Sequence, residues 1–275
     1  MVQRFILCTA LLLSLATTSF AQKGWEAGGW LGVSYYFGDL NTSFDLSRPG
    51  LAAGVAARYN FNQRVCLKFS GNYGTVSADD AESSNPYELA RNLNFESVLA
   101  DGTVQLEFNF FPYEHGSKDN FYTPYLFGGL TAFYYNPITE YEGELIELRA
   151  LGTEGQFKGE EYYSVSGALA YGAGFKIDLS YRWSLNFEIS GRRLFTDYLD
   201  DVSTVYADKD DLEELRGPLS VALSDRSILI EGINEGEIGL PGRQRGNSVD
   251  KDAYVMLGVG LLYYFGQVRC PEYGR

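Results

Sequence analysis

The amino-acid sequence predicts an all-β protein, a transmembrane antiparallel up-and-down β-barrel of about eight strands. Three observations carry that prediction: apolar residues recur with period two, the alternating segments are long, and the connections between them alternate between short and long. Period-two alternation marks strands whose two faces meet different environments. A strand that crosses a bilayer at a tilt needs about 9–11 residues, against about 5–6 for a strand in a soluble domain.

Strand by strand, the pattern runs as follows. The first sets Trp25, Ala27, Leu31, Val33, Tyr35 and Phe37 against Glu26, Gly28, Trp30, Ser34 and Tyr36. The second opposes Leu51, Val55 and Tyr59 to Ala52, Ala56 and Arg58, and the third opposes Val65, Leu67, Phe69 and Tyr73 to Arg64, Cys66, Lys68 and Asn72. In the fourth, Val98, Val104, Leu106, Phe108 and Phe110 alternate with Ser97, Asp101, Thr103, Gln105, Glu107 and Asn109. A fifth, about Tyr122 to Tyr135, is apolar on both faces, which leaves its orientation open. The sixth sets Tyr163, Val165, Leu169, Tyr171 and Phe175 against Ser164, Ser166, Gly172, Gly174 and Lys176. The seventh opposes Trp183, Leu185, Phe187 and Ile189 to Ser184, Asn186, Glu188 and Arg192, and the last opposes Val255, Leu257, Val259, Leu261 and Tyr263 to Tyr254, Met256, Gly258, Gly260 and Tyr264.

The short connections are 60–63, 112–120 and 178–182, and the long ones 38–49, 74–93, 136–161 and 196–251. Outer-membrane barrels have short periplasmic turns and long outer loops, so an even strand count puts both termini in the periplasm. A soluble lipocalin-like barrel or sandwich would leave both the strand lengths and the loop alternation as coincidence. In the longest loop the acidic run Asp208, Asp210, Asp211, Glu213, Glu214 suits a helical turn, and Ser227 to Ile230 suits an extra strand pair beyond the membrane, so ten strands stay open beside eight.

Residues 1–21 have a basic start (Arg4), a short apolar core and the small-residue ending Ser19-Phe20-Ala21, the pattern of a secretory signal peptide. The expected organisation is therefore a leader (1–21), one barrel (22–266) and a short periplasmic tail (267–275). Without Arg4 the chain has 21 basic residues against 36 acidic ones. That balance argues against nucleic acid, whose phosphates need a basic surface.

On the expected inner face lie Glu26, Arg58, Arg64, Lys68, Asp101, Glu107, Lys176, Glu188 and Arg192, both signs interspersed. The interior of an eight-stranded barrel is only wide enough for side chains to fill. These charges are expected to pair as a polar core and plug the lumen, which argues against a porin.

Catalytic and metal-binding signatures are missing. His115, the one histidine, falls in a predicted periplasmic turn and reads as a surface residue, away from the outer mouth where barrel hydrolases place a general base. There is no HExxH, CxxC, GxxxxGK or GxGxxG pattern. Asp79-Asp80 and Asp200-Asp201 lack calcium-loop spacing and read as solvated loop charge. No enzyme activity, cofactor or small-molecule substrate is expected. Two cysteines follow the leader, Cys66 on the inner face and Cys270 in the tail. Cys270 linked to a periplasmic partner, a Cys66–Cys270 bond, and two free thiols are all open in a compartment that permits disulfides.

Several stretches, taken in order, resemble a known family. They are Tyr35-Tyr36-Phe37-Gly38-Asp39-Leu40-Asn41, Ala90-Arg91-Asn92-Leu93-Asn94-Phe95 and Pro124-Tyr125-Leu126-Phe127-Gly128-Gly129. They continue with Leu151-Gly152-Thr153-Glu154-Gly155-Gln156, Phe195-Thr196-Asp197-Tyr198-Leu199-Asp200-Asp201-Val202-Ser203 and Arg245-Gly246-Asn247. The ordered set resembles the PorG family, OmpA-like outer-membrane barrels of the type IX secretion system of Bacteroidetes. That resemblance implies a non-catalytic subunit of the protein secretion and gliding motility machinery. It implies contact with outer-membrane lipid and with periplasmic ring proteins, a lipoprotein and a ring subunit.

Overall fold

The computed structural model describes residues 23–234 and 236–267. The expected leader and Cys270 lie outside the described residues. Eight long strands form the wall: β1 (Gly24–Phe37), β2 (Gly50–Asn60), β3 (Val65–Asp79), β4 (Asn94–Asn109), β5 (Tyr122–Tyr141), β7 (Val165–Asp178), β8 (Trp183–Leu194) and β9 (Ala253–Tyr264). A short strand, β6 (Glu144–Glu147), belongs to a loop. Each wall strand pairs antiparallel with its neighbours, and β1 pairs with β9 to close the ring. Closure leaves the eight-stranded wall without an unpaired edge strand, which a bilayer demands because lipid cannot hydrogen-bond a bare backbone.

The ends differ as the loop lengths predict. Connections 61–64, 110–121 and 179–182 lie at one end, together with the start of β1 and the end of β9. At the other end β3 and β5 run further than the alternation suggested, to Asp79 and Tyr141. The count is eight in the wall, and the additional strand arises elsewhere than expected: β6 folds back on the end of β5 across Glu142-Gly143, both at positive φ. Such a two-residue turn matches the twist of the strands it joins. Ser227–Ile230 forms no strand. The acidic run does form a helix, α2 (Lys209–Arg216), which follows α1 (Pro86–Arg91) in the second long loop and precedes α3 (Pro218–Ser224).

Burial settles which face is which. Leu31, Leu51 and Ile189 stand 72%, 80% and 58% exposed on the outside, with Val55, Leu106, Leu130 and Val165. An apolar belt of that extent is far beyond what a water-soluble surface tolerates, and it is the face that lipid covers. Around the turn end runs a girdle of touching aromatic rings that includes Trp25–Tyr59, Phe111–Tyr122 and Trp183–Tyr263, as found where barrels meet the membrane interface. β5 is also oriented: Thr123, Tyr125, Phe127, Thr131, Phe133 and Tyr135 are buried inside, while Leu126, Leu130 and Tyr134 face out. Both its faces read as apolar because its inner face carries four large rings.

The inside is therefore not uniformly polar. Toward the turn end it holds charges. Toward the loop end it holds an apolar core of Tyr36, Val76, Phe95, Leu99, Phe133, Tyr135, Leu194 and Met256, continuous with Leu40, Leu93, Leu148, Leu199, Val202 and Leu223 from the loops above. The loops roof the barrel because they supply the second half of this core.

Candidate functional site

In the half of the lumen nearer the turns, the chain assembles a closed set of ion pairs. Arg58, fully buried, reaches Glu26 (3.0 Å) and Glu107 (2.8 Å), and Lys176 also meets Glu107 (2.6 Å). Further up, Lys68 pairs with Glu188 (2.6 Å), whose other contact is the Tyr125 hydroxyl. Arg192 pairs with Asp101 (3.2 Å), which also accepts from Tyr254 and Asn72. Space for these rings comes from glycine: a Cβ on Gly174 would lie 2.4 Å from the Tyr125 ring, and one on Gly258 2.4 Å from the indole of Trp30.

Eight of the nine charges expected inside thus lie in the lumen, and Arg64 does not. It precedes the first residue of β3, sits exposed at the rim, and donates to the Phe110 carbonyl. Alternation placed it inward because it continued the β3 pattern one residue past the point where that strand begins. Cys66 is buried, its thiol beside Asn60 (2.9 Å) and Lys176 (3.8 Å).

His115 is the largest departure from the sequence reading. Instead of lying on a surface turn, it is 2% exposed and plugs the mouth at the turn end. Its Nε2 lies 3.1 Å from Glu26 and its Nδ1 2.9 Å from Asp178, and its ring stacks on Tyr264 at 4.3 Å. Burial alone would lower its pKa, but the bonds to Asp178 and Glu26 outweigh that and raise it to about 9. Tyr113 also donates to Asp178, so the 110–121 connection is tied into the barrel.

At the loop end, most of the sequence stretches that carry the family resemblance converge in one buried knot. Arg91 of α1 forks onto Asp80 (2.7 and 2.8 Å) and donates to the carbonyls of Asp39 and Arg245. Arg245 in turn reaches Glu154 (3.2 Å), Asp201 O and Ser224 O. Glu154 accepts from the backbone N–H groups of Ser203 and Thr204, Thr153 donates to Asp201, and the N–H of Asn247 donates to Asp39. Asp200 and Asp201 are buried here, not solvated loop charge, because the loops fold against one another. Burial pushes Asp39 and Asp201 up to about 6, in Asp201 against the pull of Arg245.

Outside the knot, a cleft of about 940 Å³ opens between the first, second and fourth loops, lined by Phe44, Tyr87, Arg243 and Asp250 among others. Among the described residues, no three His, Cys, Asp or Glu side chains converge as a metal-binding set.

No curated protein matches the chain. Among solved structures, it is similar to Neisserial surface protein A (11% identity, 88% of this chain and 97% of that one, TM-score 0.43). It is also similar to Ail, the attachment invasion locus protein of Yersinia pestis (10%, 89% and 99%, TM-score 0.41), and to OprG from Pseudomonas aeruginosa (12%, 90% and 98%, TM-score 0.38). The architecture is a closed eight-stranded antiparallel up-and-down barrel. Residues 3–220 match the sequence pattern described as a domain of unknown function, DUF6089, and the chain belongs to that family.

Proposed function

We propose that this chain is a non-catalytic outer-membrane subunit of the type IX secretion and gliding machinery, anchoring a periplasmic ring to the membrane. The observation that carries this reading is a lumen filled by paired charges, plugged by His115 at one end and roofed by the loops at the other. A filled cylinder offers no solute path and no internal substrate site. What remains available for work is the lipid-facing wall and the two end surfaces.

The type IX assignment draws on the sequence resemblance to PorG, and the convergence of most of those stretches in one knot gives them a shared physical reason. In this reading the apolar belt sits in outer-membrane lipid, with both termini and the short turns in the periplasm. Exposed Arg64, Lys118 and Arg182 on the turn face then meet the partner ring proteins or the headgroups around them. Cys270, in the tail beyond the described residues, is the candidate for an intermolecular disulfide on the same side. No cofactor, nucleic acid or small-molecule substrate enters this role.

Deleting the gene and assaying secreted and surface-attached proteins is the test, with loss of export and gliding expected. Capture of a periplasmic lipoprotein and ring subunit from detergent extracts, and a heavy band on non-reducing gels that disappears in Cys270→Ser, would identify the contacts. Normal export in the deletion strain favours a second reading, a generic structural or adhesive barrel. The exposed acids Glu144, Glu160, Asp210, Glu213, Glu214 and Glu231 on the outer loops support that alternative.

A further inference from the structure

We propose that Asp200 and Asp252 hold one proton between them through Tyr36, and that this proton latches the outer lid, residues 195–252, onto the barrel. The Tyr36 hydroxyl lies 2.5 Å from Asp200 Oδ2 and 3.2 Å from Asp252 Oδ1. A phenol has one proton and donates one hydrogen bond. With both carboxylates ionised, one of the two contacts would set lone pairs against lone pairs. Both become hydrogen bonds when one carboxyl is protonated and donates to the Tyr36 oxygen while Tyr36 donates to the other.

The remaining oxygens are already placed as acceptors. Asp200 Oδ1 takes the N–H of Val202, and Asp252 Oδ2 takes the N–H of Leu199. The proton therefore belongs on the two oxygens that face Tyr36.

Among the described residues no cation takes the proton's place. Arg91 acts on Asp200 only through space, its bonds going to Asp80 and to the carbonyls of Asp39 and Arg245. Arg245 is held by Glu154 and Asp201, and Lys251 by the Ser248 carbonyl. The groups that face the pair from other elements add negative charge or none: Asp39 just beyond β1, Asp197 in the lid, Tyr162 of the third loop and Tyr135 of β5. Burial, then these neighbouring carboxylates, push both Asp200 and Asp252 well above the usual carboxylate range.

The position explains the consequence. Tyr36 belongs to β1, Asp200 sits where the lid leaves β8, and Asp252 sits where it rejoins β9. The three side chains thus tie both roots of the lid to the wall at one point. Losing the proton puts two buried negative charges against one phenol, which favours releasing a root into water.

Hydrogen exchange of the full chain in detergent tests the latch, with rates corrected by an unstructured peptide for the intrinsic effect of pH. Between about pH 5 and about pH 8.5, amides of 195–252 in the wild type should lose protection about tenfold or more, as one unit of pKa elevation implies, beyond the loss that it shares with the Asn variants. Asp252→Asn supplies a permanent donor toward Tyr36 and an acceptor toward Leu199, so this extra loss should vanish and leave only the slope that Asp39, Asp201 and His115 contribute. Asp200→Asn does the same from the other side and serves if the first variant fails to fold. Equal lid protection at both pH values in the wild type overturns the proposal, as does a wild-type pH slope retained in the Asn variants.

Discussion

The two mouths of the barrel are closed by opposite electrostatic means. At the turn end one imidazole sits between two carboxylates, Glu26 and Asp178, and its positive charge is what holds them. At the loop end carboxyl groups outnumber the cations that reach them, and Asp39, Asp200, Asp201 and Asp252 are all pushed up by burial. The first closure depends on keeping a proton on a base and the second on keeping protons on acids. Both should therefore weaken as pH rises, the first by losing a proton from a base and the second by losing protons from acids.

The sharpest way to break this arrangement is to remove the cation that the lumen shares. Arg58→Met leaves Glu26 buried with only His115 and polar neighbours, and Glu107 with only Lys176. Breaking a buried ion pair from one side costs about 3–5 kcal/mol. Urea unfolding in lipid vesicles should show a loss of that size, and an unchanged midpoint would mean that the lumen admits water freely. Next in size is a test of the wall: Leu31→Arg places a charge on the lipid face and should cost about 2–4 kcal/mol near mid-bilayer. The same change on a soluble protein's surface would be nearly silent, so a silent result removes lipid from the account.

His115 gives the pH comparison. Its folded pKa is raised from 6.5 to about 9, so its contribution is fully present below about 6.5 and disappears as pH rises through about 9. By linkage that contribution is on the order of 3 kcal/mol. Global unfolding measured across that window should fall accordingly in the wild type, and His115→Gln should flatten the slope. The acids at the loop end lose their contribution in the same direction. Asp39, raised from 3.8 to about 6, favours the folded lid most below about 3.8, and that advantage is lost as pH climbs through about 6. The share of lid protection that Asp39 supplies should thus decline at lower pH than the His115 plug does.

The sequence made the wall legible because lipid on one face and protein on the other impose a strict period of two, and residues such as Leu51 and Arg58 have no other reason to alternate. It left β5 open because its inner face carries rings for two different reasons that no local pattern reveals: Phe133 and Tyr135 face an apolar core shared with distant loops, while Tyr125 packs among the lumen charges against Glu188 and Lys176. His115 was misplaced for a related reason. Its turn folds back into the barrel, where Glu26 and Asp178 come from strands 89 and 63 positions away in the chain, and a short connection read alone carries no sign of that. The knot was half visible: its residues stood out as ordered motifs, but their ion pairs, such as Arg245 with Glu154, join separate loops.

The smallest predicted effect separates local lid order from closure. Asp208 caps α2 by accepting the N–H groups of Asp210 and Asp211, on a solvent-facing part of the lid away from Tyr36. Asp208→Ala should cost about 0.5–2 kcal/mol in that helix, read as faster exchange of 209–216 alone. Because α2 buries only Leu212 among its own residues, fraying it leaves the anchors at Asp200 and Asp252 in place. If exchange instead accelerated across the whole of 195–252, the lid would be one cooperative unit, and its hold on the barrel would be spread over its length rather than concentrated at its roots.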